Sequence, residues 1–423
     1  MIENDEVVDR LHRFYREVGT QSPLPPAWEA PVAARWSRMV PTLAAMALLV
    51  GVAVVAINLH SARRAVVTSP PMRNSVGPVP HASVSAAHFF DSGHGWGLTQ
   101  DGLFTTSDGG VSWTNVSPPT LASSPTAFFV DPTHGWVTSW QLRGTNANFE
   151  SVLPVFKTED GGKTWERHDL HLPGFQAGGV YLDFFDLTHG WIVAVNTTSS
   201  NFNSGQLFRT DDGGMSWRQL DIPNGNPVRF LNSTTGWNVG AGQPGRPGYD
   251  TLYVTRDGGA TWRAQPIALS SGLTGPFFAL PTFVDGHHGV LPVTFPGQRT
   301  QSFYISDDAG VSWSLNETTQ AKVLGGEKIT LRDFPMTVAV TGPMSWVMAW
   351  GRHLEVVTNG NNVAIDPQGF AQVDELGFVS SSVGWGLTTA SGSCSGFKSD
   401  CMSFRYVIRT LDGGHTWTPI DIP

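Results

Sequence analysis

The sequence predicts an all-β protein, a seven-bladed β-propeller of four-stranded blades, preceded by one transmembrane helix and a short N-terminal tail. Three observations carry this reading. The 423 residues include 47 Gly and 29 Pro but only 14% charged side chains, where an average domain has about 25%, so turns are frequent and long helices disfavoured. Sixteen Trp and 24 Phe exclude a disordered chain. An eight-residue turn signature also occurs six times at nearly constant spacing.

The elements follow in order. Residues 1–38 form the tail, in which Val7, Val8, Leu11, Phe14, Tyr15 and Val18 fall at helical spacing. They predict a short amphipathic helix over 4–18, lying on a membrane or docking a cytoplasmic partner. Residues 39–59 carry no charge and are rich in Ala, Val and Leu. As a helix they span about 31 Å, the thickness of a bilayer core. The 38 preceding residues and the lack of a small-residue cleavage site favour an uncleaved anchor over a signal peptide. Five Arg before the span against three in the 60 residues after it place the N-terminus in the cytoplasm. The nearest-twenty count, two against three, has the opposite sign. Pro70, Pro71, Pro78 and Pro80 make residues 60–83 an extended tether.

Residues 84–423 are the repeat. Thr106 to Trp113 fits [Ser/Thr]-x-Asp-x-Gly-x-x-Trp, as do Thr158 to Trp165, Thr210 to Trp217, Thr255 to Trp262, Ser306 to Trp313 and Thr410 to Trp417. Successive Trp positions differ by 52, 52, 45, 51 and 104, so one copy has decayed, near Val357 to Asn362. A second series, clearest in His94-Gly95-Trp96, His134-Gly135-Trp136 and His189-Gly190-Trp191, supplies seven members, one before each turn. Each unit of about 49 residues reads as four short strands. In the first they are roughly Ser85–Phe90, Gly95–Thr99, Leu103–Thr106 and Ser112–Val116. Unbroken apolar strands such as Trp191 to Val195 imply burial on both faces.

The turn has a mechanical reading. Its Asp can accept from backbone N–H groups two or three residues on, its second Gly can take a positive φ, its Ser or Thr can bond across, and its Trp fills the space between units. Asp108, Asp160, Asp212, Asp257, Asp308 and Asp412 stand in six separate units, so they are read as structural, with no catalytic residue assigned. His94, His134, His189 and His288 are likewise one per unit and read as turn-packing side chains, with no metal and no cofactor expected.

At these residues the chain resembles the Asp-box, or BNR-repeat, proteins. Its pairing of Gly-Trp strands with Thr-x-Asp-Gly-Gly-x-x-Trp turns looks most like the photosystem II assembly/stability-factor type of propeller. The resemblance covers residues 84–423 and implies a seven-bladed ring. It leaves function open, because Asp boxes also occur in sialidases, xyloglucan hydrolases and sorting receptors. The Arg-Ile-Pro element of sialidases is absent, and only six Tyr are present in all.

The function expected is that of a membrane-anchored extracytoplasmic binding or assembly scaffold. The alternatives are a glycan- or polysaccharide-directed hydrolase and a transmembrane sensor. Residues 84–423 hold 18 basic and 29 acidic side chains, which argues against nucleic acid. Cys394 and Cys401, the only cysteines, are expected to form a disulfide, which favours an oxidising compartment. A protein or glycan partner is expected on the long loops between second and third strands. These supply Arg143, Phe149, Phe202, Arg246, Tyr249, Phe295, Arg299, Phe397 and Lys398.

Overall fold

The computed structural model describes residues 82–122, 124–143, 150–173, 177–196, 204–241, 250–320, 337–391 and 403–423. The tail, residues 39–59, most of the tether, Cys394 and Cys401 lie outside the described residues. So do Phe149, Phe202, Arg246, Tyr249, Phe397 and Lys398. Among the described residues no helix is long and apolar enough to cross a membrane. By contacts the chain divides into Met1–Ser75 and Val76–Pro423, and the described residues all fall in the second unit.

The described residues form seven antiparallel sheets, each built from one contiguous stretch of chain. Blade one comprises Val84–Phe89, Gly95–Thr99, Gly102–Thr106 and Thr114–Asn115. Its outer strand is shorter than the sequence suggests, and the other three fall within a residue of expectation. Blade three, Ala177–Phe184, Gly190–Asn196, Gly205–Thr210 and Arg218–Leu220, shows the layers plainly. The first five residues of its second strand are all buried, because neighbouring blades cover both faces of the sheet. Blade two adds a short strand, Gln141–Arg143, paired with Glu150–Thr158, so one expected irregular loop is a hairpin at its base. Blade five splits its first strand into Phe277–Phe278 and Thr282–Phe283. In blade six, His353–Thr358 and Asn361–Ile365 are joined by Asn359-Gly360, with φ of 51° and 76°. That is the positive-φ pair of a type I′ hairpin, which substitutes for the lost turn motif.

The six full turns share one hydrogen-bond pattern. In blade three, Asp212 Oδ1 accepts from the Thr210 hydroxyl at 2.7 Å and the Ser216 N–H at 2.9 Å. Its Oδ2 accepts from the Ser216 hydroxyl at 2.5 Å. The Asp therefore reaches four residues on, further than the sequence reading, and uses a second hydroxyl. Thr210 Oγ1 in turn accepts from the Gly214 N–H at 2.8 Å, bonding across the turn as expected. Both residues after the Asp take positive φ, even Ala309 at 59°.

A further bond fixes each third–fourth turn to the first–second turn of its own blade. Gly109 N–H donates to Gly93 O at 2.7 Å, and equivalents recur in all seven blades, including Asn359 to Met344 O at 2.9 Å. The two sets of turns thus form a single face, here called the turn face. The second–third loops and the connections between blades lie at the opposite ends of the strands.

Aromatic rings hold blade to blade. In blades two to four the Gly-Trp tryptophan stacks on the Phe that ends the first strand of the next blade. Trp136 meets Phe184 at 3.6 Å, Trp191 meets Phe230 at 3.4 Å and Trp237 meets Phe283 at 5.0 Å between centroids. The turn tryptophan then meets that Phe edge-on, as Trp262 does Phe230 at 6.2 Å. The Gly-Trp rings are the deepest of the side chains between units; Trp136, Trp191, Trp237 and Trp346 have no exposed surface. The turn tryptophans pack between units as the sequence reading has them: Trp165 Nε1 donates to Val116 O of the preceding blade at 2.8 Å, and Trp313 meets Trp237 edge-on at 6.5 Å.

Among the described residues no strand is exchanged to close the ring; blade seven meets blade one through side chains. Arg409 donates to Gly109 O, Arg405 donates to Ser85 O at 2.8 Å, and Ile422 is fully buried against Gly97.

Candidate functional site: the turn face and its channel mouth

The first strands line the central channel, and their last positions show where the repeat varies. The residues paired with the Gly-Trp tryptophan in blades one to four are His88, Phe128, Asp183 and Arg229. In blades six and seven they are Val340 and Gly377, and in blade five Thr282 stands opposite Val290. No two are alike, although the strand behind them is almost constant.

Four of these residues, Phe128, Asp183, Arg229 and Thr282, line a cavity of about 580 Å³ at the mouth of the channel on the turn face. Its walls are Phe184, Phe185, Phe230, Phe283 and Val284. Asp183 is 5% exposed. It accepts from the Phe230 N–H of the next blade at 2.7 Å and lies 3.4 Å from the Arg229 Nε. Burial pushes its carboxyl up to about 6, against the pull of Arg229 and the Phe230 N–H. The Arg229 side chain remains half exposed at the opening. In blade one, His88 is brought down to about 4 by burial among the channel walls, helped by the Arg229 charge. By surface area the side chain is exposed, so crowding by the surrounding blades rather than a sealed core withholds solvation.

The turn face also carries most of the exposed large apolar side chains. Val111, Met215, Val311 and Leu411 stand in third–fourth turns, Val111 with 83% of its surface exposed. Phe185, Leu187, Val284 and Met344 stand in first–second turns. Such side chains at the tips of rigid turns contribute nothing to the core and are available for contact.

The six turn aspartates sit in six blades, each spent on its own turn, and they do not converge. The four histidines behave as the sequence reading has them: the Nδ1 atoms of His94, His134, His189 and His288 lie 2.7–2.9 Å from the Asp of their own turn. Among the described residues no group of His, Cys, Asp or Glu is placed to hold a metal ion. Of the loop-face residues, Arg299 is exposed with φ of 52°, and Arg143 ends a strand. Phe295, expected at that surface, is fully buried and belongs to the core of blades four and five.

Sequence reading missed the channel-mouth cavity and the apolar tips. The tips had a signal, since the residue after the second Gly of the turn is Val111, Met215 or Val311 in three copies and Lys163 or His415 in two others.

No family model matches the chain. A 161-residue stretch is 27% identical to the photosystem II assembly lipoprotein Ycf48 of Synechococcus sp. (strain CC9902), covering 36% of this chain and 40% of that relative's length. Among solved structures, YCF48 from Cyanidioschyzon merolae is 16% identical with a TM-score of 0.34, over 57% of this chain and 85% of that one. The uncharacterised protein lmo1340 of Listeria monocytogenes EGD-e is 8% identical with a TM-score of 0.45, over 72% and 89%. The class defined is a seven-bladed propeller, with a partial resemblance to a photosystem II assembly factor.

Proposed function

We propose that this protein is a membrane-tethered binding or assembly scaffold, with residues 39–59 as the anchor, residues 60–83 as the tether and the propeller outside the cytoplasm. The six turns are, on this reading, Asp boxes that build the frame. The observation that carries the scaffold role is the turn face: a rigid ring presents exposed apolar side chains around a cavity. The similarity to a relative named as an assembly lipoprotein adds support. That relative's client is not carried over.

The loop face is a second surface for a protein or glycan partner. Arg299 is exposed there, and Arg143, Phe149, Phe202, Arg246, Tyr249 and Phe397 belong to the same set of loops. Within that face, Cys394 and Cys401 close a disulfide loop, which mass spectrometry of unreduced protein from its native membrane would detect; two free thiols would count against the oxidising compartment. Glycan hydrolysis is the rival activity, since Asp183 and Asp285 both reach the cavity. Asp285, however, already accepts from the N–H groups of His287 and His288 at 2.7 Å.

Photocrosslinking of the full chain in its native membrane, read beside a glycan array, tests the proposal. A discrete protein partner is the expected result. Glycan turnover with no crosslinked protein would overturn it.

A further inference from the structure

We propose that the turn face docks a cationic, apolar-studded segment of a partner protein, with one aromatic side chain of that segment anchored in the channel mouth. The inference rests on the scaffold reading and assigns it a partner chemistry.

The apolar component comes from the turn tips, of which Val111, Met215, Val311 and Leu411 stand on four different blades. The charge component comes from the carboxylates between them. Asp91, Asp108 and Asp412 stay ionised down to about pH 2, Asp91 because the N–H groups of His94 and Gly93 and the His94 imidazole crowd it, Asp108 and Asp412 because hydroxyl and N–H donors do. Glu159 and Asp307 are still more exposed, at 68% and 77%. The cations of this face are largely turned inward. Arg256 donates to Gly310 O of the next blade at 2.7 Å, Arg409 to Gly109 O and Arg209 to Gly258 O at 3.5 Å, while Lys157 pairs with Glu159 at 2.8 Å. Lys163, Arg218 and Arg263 are exceptions. The surface is therefore negative between apolar points, and its electrostatic complement is a basic segment.

The centre differs from the rim. Arg229 is half exposed at the cavity wall beside Phe128, Phe185, Phe230 and Phe283. Arg229 already faces Asp183 there and His288 faces Asp285, so a Lys or Arg of the partner finds each carboxylate already partnered, whereas an aromatic ring gains both apolar walls and a guanidinium over its face. The cavity volume is of the size that holds such a group.

Two other occupants fit less well. A membrane with anionic lipids would meet the same carboxylates. The chain also enters the ring at the loop-face end of its first strand, Val84, away from the turn face. A second copy would set one acidic face against another.

The test uses the full chain in detergent and three fluorescent synthetic peptides of equal length. The first has Lys and Leu at alternating faces with one central Trp, the second has Ala for that Trp, and the third has Glu for every Lys. Fluorescence anisotropy should show the first binding at least tenfold tighter than the third and several-fold tighter than the second, with affinity falling as salt rises. Val111→Lys, Val311→Lys and Leu411→Lys combined should weaken the first peptide at least tenfold. Arg229→Gln should erase its advantage over the second, and Arg299→Glu should change nothing; melting temperatures confirm an intact ring. Equal binding of the acidic peptide, or indifference to the tip substitutions, overturns the inference. A change in affinity confined to Arg299→Glu, of either sign, moves the peptide to the loop face, which sinks this docking mode and leaves the scaffold reading standing.

Discussion

Replacing Asp212 by Ala tests whether the repeated turn is held by its carboxylate. The side chain accepts three hydrogen bonds, from the Thr210 hydroxyl, the Ser216 N–H and the Ser216 hydroxyl. Such bonds contribute about 0.5–1.5 kcal/mol each, and more where a buried group is orphaned. Ser216 is exposed, so its two donors regain water, and the expected cost is about 1–3 kcal/mol in total. At about 2–4 °C per kcal/mol for a large domain, the melting temperature should fall by roughly 2–12 °C. Asp212→Asn keeps one acceptor oxygen and should lose about half as much. Partial burial raises the Asp212 carboxyl, but the Ser216 and Thr210 donors outweigh it and hold it at about 2, against an ordinary 3.8. A depressed carboxyl stabilises the fold above its unfolded value, and that contribution is lost as pH falls through the folded one. The gap between parent and Asn variant should therefore narrow from pH 4 towards pH 2. Calorimetry at neutral pH decides the matter: an Ala variant melting within a degree of the parent would refute the reasoning.

Three further outcomes are expected. Ile422→Ala should open the seam between blades seven and one, at about 2–5 kcal/mol for a fully buried side chain, with limited proteolysis cutting near residue 420 before the rest of the ring; unchanged proteolysis would contradict a side-chain closure. Asp183, raised to about 6, favours the fold below its unfolded value of 3.8 and loses that benefit as pH rises through 6. Asp183→Asn should thus match the parent at pH 4 and exceed it by about 1–3 kcal/mol at pH 7.5, measured by denaturant unfolding. His88, lowered to about 4, works in the other direction: its contribution is full above 6.5 and is lost as pH falls towards 4. His88→Gln should flatten the acid side of the stability profile, and an unchanged profile would show that the channel does not withhold solvation from the ring.

The turns were legible because their bonds are local. Asp, Ser or Thr and Gly act within about four residues of one another, so a sequence pattern contains the whole interaction. The decayed unit was legible for the same reason, since Asn359-Gly360 is itself a hairpin signal. The turn tryptophans were read correctly as packing between units, whereas the stacking of the Gly-Trp rings on the next blade was not read. Which ring stacks flat and which meets it edge-on depends on how one sheet leans on the next, and the spacing of Trp along the chain does not encode that lean.

The sequence by itself determined the number of blades, the strands within each and the turn that ends them, because a repeat with local hydrogen bonds specifies its own supersecondary unit. Only the tertiary structure decided what the ring presents to a partner. Asp183 meets Phe230 across 47 residues, and the Arg229 charge reaches His88 in another blade. Such encounters exist only once the ring has closed and brought single, unrepeated positions to a common channel. The same closure gathers apolar residues from separate turns onto one face. The physical reason is range: hydrogen bonds within a turn are fixed by neighbours in sequence, whereas burial, channel electrostatics and a shared surface are fixed by neighbours in space.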